Sequence, residues 1–411
     1  MSKKAIILFT SSFPYGHGEQ FLETELGYLA PAFDKIIIFP YHYGSSNEMR
    51  KGLPVNITVY KPFRDENHTF AKLLLKGLFN TKCFFPYWHD LYYHPEIMLS
   101  TQKLSLWFRS MLNCRMILSD KRLLNSISAY QSGLLFYFYW SHRPSGITLG
   151  LKNLKRPVVV RFHGTDLYTE MELNRNYIPF REMMLKSITH AVFISEHGAR
   201  YVKKKYSYLP DQLCIHRLGT TDRGASSWQP SDVLRIVSCS TVDENKRTGS
   251  IAKVISSLNF PVEWTHIGDG PLMKDLIQQC QAMDKTGKTI RLLGRITNQD
   301  VHQVYQHSQF DLFINVSKSE GVPFSIMEAL SYSIPVIATA AGGTPEIVDH
   351  ACGHLLPVDF LLDDLKNALI DFHALDIDSK KTIRNNARQR WELTCDANRN
   401  YLKFKSFMES L

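Results

Sequence analysis

Short apolar runs rich in valine, isoleucine, leucine and phenylalanine recur along the chain, each followed by a stretch in which apolar residues return at helical spacing. That alternation predicts parallel sheets covered by helices on both faces. In the first half, strands are expected at Ala5 to Thr10, Lys35 to Pro40, Asn56 to Tyr60, Leu134 to Trp140, Val158 to Phe162, Ala191 to Ser195 and Leu213 to Arg217. A long helical stretch separates the third from the fourth. The pattern then restarts, with strands at Leu234 to Cys239, Val262 to Gly268, Thr289 to Leu293, Asp311 to Val316 and Pro335 to Ala338. Between the halves, Gly219 to Asp232 reads GTTDRGASSWQPSD, rich in turn formers and poor in apolar residues, which marks a linker. The expected organisation is therefore α/β: a doubly wound domain over 1–218, the linker 219–232, a second doubly wound domain over 233–390, and a helical tail.

Length agrees with this division, since 411 residues exceed what one core organises and two domains of roughly 200 residues are the default. A hydrophobic content of 44% suffices for both cores. The seven cysteines are scattered singly, with no C-x-x-C pair, which argues against a disulfide framework and a structural zinc and fits a reducing cytoplasm. The opening MSKK runs straight into AIILFT, too brief for a signal peptide core, and no later apolar run approaches the ~20 residues of a membrane span. A soluble or surface-bound protein is expected.

The net charge of +9 is spread along the chain without an arginine-rich block, so nucleic acid is not an expected partner. The most lopsided stretch runs from His68 to Asn125, where Lys72, Lys76, Lys82, Lys103, Arg109, Arg115, Lys121 and Arg122 are interleaved with aromatic residues. Two readings stay open for it. Basic amphipathic helices can rest on an anionic membrane surface, or the aromatics are helix faces packed on the sheet while the lysines snorkel.

Candidate chemistry concentrates in SKSEGVPFSIMEALSYSIPVIATAAGGTPEIV, Ser317 to Val348. Pro323 suits the start of a helix, so Glu320, Gly321 and Val322 fall in the loop entering it while Glu328 lies about two turns in, on its buried side. The helix N-terminus then faces any anion that the loop receives. A nucleotide-sugar presents ribose hydroxyls, a diphosphate and sugar hydroxyls. Glu328 is suited to accept from two vicinal ribose hydroxyls. Glu320, nearer the loop, would accept from a sugar hydroxyl and stabilise positive charge at the anomeric carbon. Gly342 and Gly343 allow a tight turn that brings bare N–H groups close to phosphate. In the first half, Gly16, Gly18 and Glu19 follow the first strand, but Phe21 stands where a dinucleotide fingerprint needs its third glycine, and the second strand ends in Phe39 and Pro40 without an acidic residue. That argues against a nicotinamide enzyme. His163 and Asp166 follow the strand Val158 to Phe162, at the carboxyl edge where open α/β sheets bind ligands.

The Ser317 to Val348 block resembles, nearly residue for residue, the E-x7-E signature of retaining glycosyltransferases of family 4, the type found in bacterial polysaccharide assembly. The resemblance implies the GT-B fold, two Rossmann-like domains facing a cleft, with the tail from 391 to 411 crossing back to the first domain. It implies a donor diphosphate beside Gly342 and Gly343 and approached by the Gly16 and Gly18 loop, with Lys246 and Arg247 as its cationic counterpart. The family often carries an arginine several residues before that lysine; here Ser240, Thr241 and Val242 stand there, so either Arg247 substitutes or Lys246 carries more of the charge. Gly268 opens a turn common in these domains, Arg295 sits where relatives hold the base, and His163 matches the histidine that faces the transferred sugar. The implied function is transfer of a sugar from a UDP- or GDP-sugar to a saccharide or a polyprenyl- or lipid-linked acceptor in capsule, exopolysaccharide or lipopolysaccharide synthesis, at the cytoplasmic face of the membrane. No cofactor and no metal are expected, because the only D-x-D considered, Asp376 and Asp378, lies beyond the core of the second domain. Two rivals remain: a nucleotide-sugar epimerase of the same fold, and a non-catalytic partner subunit.

Overall fold

A computed structural model describes residues 4–16, 18–64, 84–130, 133–141, 146–171, 174–207, 212–283 and 286–411. The chain divides into two compact units, Met1–Arg217 with Tyr401–Leu411, and Leu218–Asn400. His17, His142 and the part of the basic aromatic stretch from 68 to 83 lie outside the described residues.

The first unit holds a parallel sheet of β1 (Ala5–Thr10), β2 (Lys35–Pro40), β3 (Ile57–Val59), β4 (Leu134–Phe138), β5 (Val158–Phe162), β6 (His190–Phe193) and β7 (Gln212–Ile215), in the order β3-β2-β1-β4-β5-β6-β7. Its apolar runs are continuous because helices cover both faces. Ile7 and Phe9 of β1 enter one core while Ile6 and Leu8 enter another on the opposite face. The second core includes Phe404 and Met408, one helical turn apart in the terminal helix Ala397–Glu409. There, Arg161 of β5 and Glu25 of the helix Gln20–Leu29 form an ion pair with both side chains fully buried. Tyr137 donates to Glu25 at 2.8 Å, and the Arg161 guanidinium lies 4.1 Å from the centre of the Phe404 ring.

The second unit repeats the winding with β8 (Leu234–Cys239), β9 (Val262–Ile267), β10 (Lys288–Leu292), β11 (Leu312–Asn315), β12 (Val336–Thr339) and β13 (Gly353–Leu356), ordered β10-β9-β8-β11-β12-β13 and parallel throughout. The pattern of apolar runs did not call for β13. It is a short edge strand opened by Gly353, where an added Cβ would stand 1.9 Å from the Val336 carbonyl oxygen, so a packing requirement interrupts the apolar run.

The segment expected as a linker is fastened to the second unit. Thr220 N–H donates to Cys395 O at 2.9 Å and Trp391 Nε1–H to Thr220 Oγ1 at 2.7 Å, Ser226 N–H donates to Tyr332 O at 3.2 Å, and Asp222 pairs with Arg388 at 2.6 Å. The return of the chain expected at Trp391 comes at Tyr401, because Trp391 to Asn400 are held to Leu218 and Thr220. The stretch from Phe84 to Asn125 divides. Tyr87 and Trp107 are core residues, whereas Trp88, Tyr92, Met98 and Leu99 are exposed.

Candidate functional site

In each sheet the winding reverses between two neighbouring strands, β1 and β4 in the first and β8 and β11 in the second, and the carboxyl ends at such a reversal are where open α/β sheets bind ligands. Most of the sequence-derived candidates fall on loops after the carboxyl ends of strands in the two sheets, and Glu328 lies on a helix.

In the second unit, the loop after β8 leads to the helix Thr248–Ser256 and the loop after β11 to the helix Phe324–Ser331. Asn245 joins them. Its side chain donates to Ser319 O at 3.1 Å and accepts from Ser319 N–H at 3.0 Å, and its carbonyl accepts from Lys318 N–H at 2.8 Å. Held by that zip, Lys246 Nζ stands 2.6 Å from Glu320 Oε1, with 22% and 10% of the two side chains exposed. Asn315 Nδ2 donates to the same oxygen at 3.3 Å, and Asn315 is itself fixed by Ser317. Lysine and glutamate, 74 positions apart, thus meet across the winding reversal.

Arg247 does not join them. Its backbone is left-handed, φ 50°, and its guanidinium donates to Val316 O and Ser317 O while lying 4.6 Å from the centre of the Phe360 ring. Of the two cations considered for phosphate, Lys246 is the one beside Glu320.

The glycines explain how closely these loops approach. Gly342 has φ 56°, and a Cβ there would stand 1.8 Å from Glu320 O; Gly343 N–H donates to Gly321 O at 2.7 Å. The glycine pair therefore locks the Glu320 to Val322 loop, and Gly343 N–H is spent in doing so. Gly268 plays a similar part on the other side, where a Cβ would stand 1.8 Å from Ser240 O and its N–H donates to Gly294 O at 2.9 Å. Arg295 follows on the surface.

Glu328 lies on the helix Phe324–Ser331, where Asn298 Nδ2 donates to it at 3.2 Å. Burial pushes its carboxyl up to about 7, against the hydrogen bond from Asn298 and the charge of Arg223, both of which favour the ionised form. A carboxylate so placed gains from hydroxyl donors. Asp376 caps the helix Ile377–Thr394 by accepting from Ser379 N–H at 2.7 Å. Among the described residues, no group of three or more His, Cys, Asp and Glu is arranged to hold a metal ion.

In the first unit, Gly16 has φ 65° and packs against Ser45, and Arg50 donates from Nε to Gly16 O at 3.2 Å and from Nη2 to Gly18 O. The N–H groups of Ser11, Ser12 and Phe13 all turn to Glu19. His163 is buried, its ring 4.3 Å from that of Trp140 and 4.8 Å from that of Tyr139 between centroids, and neither ring nitrogen has a hydrogen-bond partner. Its backbone N–H donates to Asp166 at 2.8 Å. Asn245, Asn315, Asn298 and Trp140 were not anticipated. Asn245, Asn298 and Trp140 act on partners 74, 30 and 121 positions away, which no local pattern signals, whereas Asn315 acts on Glu320 five positions on.

Residues 234–374 match the family described as glycosyl transferases group 1. That match lies within the second unit. The group 1 match contains Lys246, Glu320, Glu328 and both locking glycines. The chain is 23% identical over 266 residues to the putative colanic acid biosynthesis glycosyltransferase WcaL of Salmonella typhimurium, covering 60% of this chain and 64% of that one, and 24% identical over 267 residues to its Escherichia coli K12 counterpart, covering 61% and 64%. The chain thus spans just under two thirds of the length of these relatives. Among solved structures, Anabaena Alr3699/HepE in complex with UDP and glucose superposes with a TM-score of 0.69 at 15% identity, over 99% of this chain and 100% of that one. Sucrose-phosphate synthase from Thermosynechococcus elongatus gives 0.71 at 13%, over 99% of each. The chain therefore has the GT-B fold, two Rossmann-like domains.

Proposed function

We propose that the protein is a retaining glycosyltransferase that moves a sugar from a UDP- or GDP-sugar to a saccharide or lipid-linked acceptor in cell-surface polysaccharide synthesis. The observation that carries this reading is the Lys246–Glu320 pair, 2.6 Å apart at the winding reversal of the second sheet and within the group 1 match. Departure of the nucleoside diphosphate is the step needing help. As the bond between the anomeric carbon and the β-phosphate oxygen breaks, negative charge gathers on the phosphate, where a cation held in place offsets it. Lys246 is that cation, and Glu320 faces the electron-poor anomeric carbon and a sugar hydroxyl. The acceptor oxygen bonds to the anomeric carbon on the face the diphosphate leaves, and its proton passes to the departing phosphate. Glu328 accepts from the ribose hydroxyls. Arg295 lies by the base, Gly268, Gly321, Val322, Gly342 and Gly343 shape the donor loops, and Arg247 supports them from within. In the first unit, Gly16 and Gly18 form the donor-side loop and the unpartnered ring nitrogens of His163 serve a sugar hydroxyl.

The reaction as proposed uses no metal and no cofactor. Incubation with a panel of radiolabelled nucleotide-sugars, with and without a chelator, tests it. One donor is expected to release sugar to water or acceptor at a rate the chelator leaves unchanged. Interconversion of the donor without an acceptor would instead establish the epimerase, and no tight binding of any uridine or guanosine nucleotide would establish a non-catalytic subunit.

The partner surface of this reading is an anionic membrane at the cytoplasmic face. No helix among the described residues is long and apolar enough to cross a membrane. Yet Tyr92, Met98 and Leu99 are 80%, 68% and 90% exposed in a region that also carries Lys103, Arg109, Arg175 and Lys186, a composition suited to acidic head groups. Sedimentation with vesicles containing acidic lipid, and its loss in a Met98→Ser/Leu99→Ser variant, is expected; equal binding to neutral vesicles would count against it.

A further inference from the structure

Donors from two loops converge on the carboxylate of Glu19. The N–H groups of Ser11, Ser12 and Phe13 reach it at 3.0, 2.7 and 2.6 Å, and the indole Nε1–H of Trp140 donates to the oxygen that also serves Ser11. Glu19 is 8% exposed and holds a left-handed backbone, φ 56° and ψ 39°, a conformation that a non-glycine residue keeps where the surroundings impose it. Successive N–H groups of this kind make a concavity that suits an anion. Here the chain fills it with its own side chain.

The second oxygen partner, Trp140, follows β4 and crosses to the neighbouring strand end. Its ring lies 4.3 Å from His163, inclined at 40°, with Tyr139 on the same imidazole at 4.8 Å. Asp166 secures the backbone on that side, accepting from His163 N–H and Ser141 N–H at 2.8 Å each, while its carboxylate stays 3.7 Å from His163 Nδ1. No hydrogen bond orients the imidazole. Its direction is left to the rings against it, and the nearer of those rings is held by Glu19.

We propose that Glu19 is a positioning residue that, through Trp140, fixes the imidazole of His163 for a sugar hydroxyl. The functional half rests on the role assigned to His163 above. Glu19→Gln keeps the shape but replaces an acceptor oxygen by N–H groups facing other N–H groups. It is expected to lower kcat/KM for transfer about tenfold, as a misplaced group at a reaction centre does, yet to change the rate of a His163→Ala enzyme by less than about twofold, because residues acting in series do not add. Trp140→Phe, which keeps a ring and removes only the N–H, is expected to reproduce the Glu19→Gln loss and covers the case in which that variant does not fold. Equal losses from Glu19→Gln with and without His163 would overturn the proposal. A readout independent of turnover separates the two halves: the imidazole C–H resonances of His163 are expected to shift in both Glu19→Gln and Trp140→Phe, and resonances that stay in place refute the hold itself. Native transfer by His163→Ala would instead remove the sugar role of His163, and with it the functional half alone.

Discussion

Each unit places a glutamate beyond a strand that flanks its winding reversal, Glu19 after β1 and Glu320 after β11, and the two are used in opposite ways. Glu320 in the second unit meets one flexible lysine and one asparagine amide. Glu19 in the first unit is saturated by three main-chain N–H groups and an indole. A carboxylate whose partners are main-chain groups of its own fold organises a loop, whereas one balanced by a mobile cation can exchange that cation's attention for a ligand. The difference separates scaffold from site on charge satisfaction alone, although both residues lie at an edge where ligands are expected.

The sharpest way to break the scaffold side is deeper in the first unit. Glu25→Ala leaves the guanidinium of Arg161 buried without its carboxylate, and loss of one partner of such a pair costs about 3–5 kcal/mol. Chemical denaturation is expected to show that loss, and a change below about 1 kcal/mol would mean that water or another group replaces Glu25. On the site side the largest effect is on rate. Lys246→Met removes the cation while keeping the length of the side chain, and a drop of roughly 10²–10³ in kcat is expected, with the unfolding midpoint nearly unmoved. If stability falls and kcat does not, Lys246 belongs with the scaffold.

Next in size is the lock between the site loops. Gly342→Ala places a methyl group 1.8 Å from a backbone carbonyl at φ 56°, so the Glu320 loop itself must move. A stability loss of about 2–3 kcal/mol is expected, together with weaker nucleotide binding. Gly18→Ala, where φ is ordinary and the nearest atom is Ser12 Oγ at 3.3 Å, is expected to be nearly silent in a denaturation experiment. Similar losses at both glycines would dissolve the distinction between them.

These contrasts show what the amino-acid order conveys. The central strands of both sheets were legible because a strand buried on two faces must be apolar without interruption, as Ile6, Ile7, Leu8 and Phe9 are. β13 was not, because Gly353 and His354 interrupt the apolar run where the backbone of β12 comes close. Glu320, Glu328 and the glycine pair stood out because they share one continuous block around a single helix. Lys246 was found beside an arginine of identical charge, and only the fold shows that Arg247 turns inward to the ends of β11. The zip through Asn245 and the link from Glu19 to Trp140 join residues more than 70 and 120 positions apart, and no local pattern encodes such a pairing.

The smallest effect expected is also the one that tests site against scaffold by pH. Burial holds the Glu328 carboxyl near 7 in the folded protein, whereas an unfolded chain loses that proton near 4.3. The folded state therefore binds the proton more tightly, and stability from this group is complete below the unfolded value and falls as pH rises toward 7. Glu328→Gln carries no such proton. It is expected to match the parent near pH 4 and to exceed it at pH 8 by about 2 kcal/mol, less than the full shift would give because the side chain is only partly buried. The same titration works in the opposite sense on ligands. If Glu328 holds the ribose as proposed, its ionised form is the acceptor, so binding of the matching nucleoside diphosphate is expected to tighten several-fold between pH 6 and pH 8 in the parent and to be weaker and flat in Glu328→Gln. Calorimetry across that range decides the matter: a parent affinity independent of pH would place Glu328, like Glu19, among the residues that hold the fold.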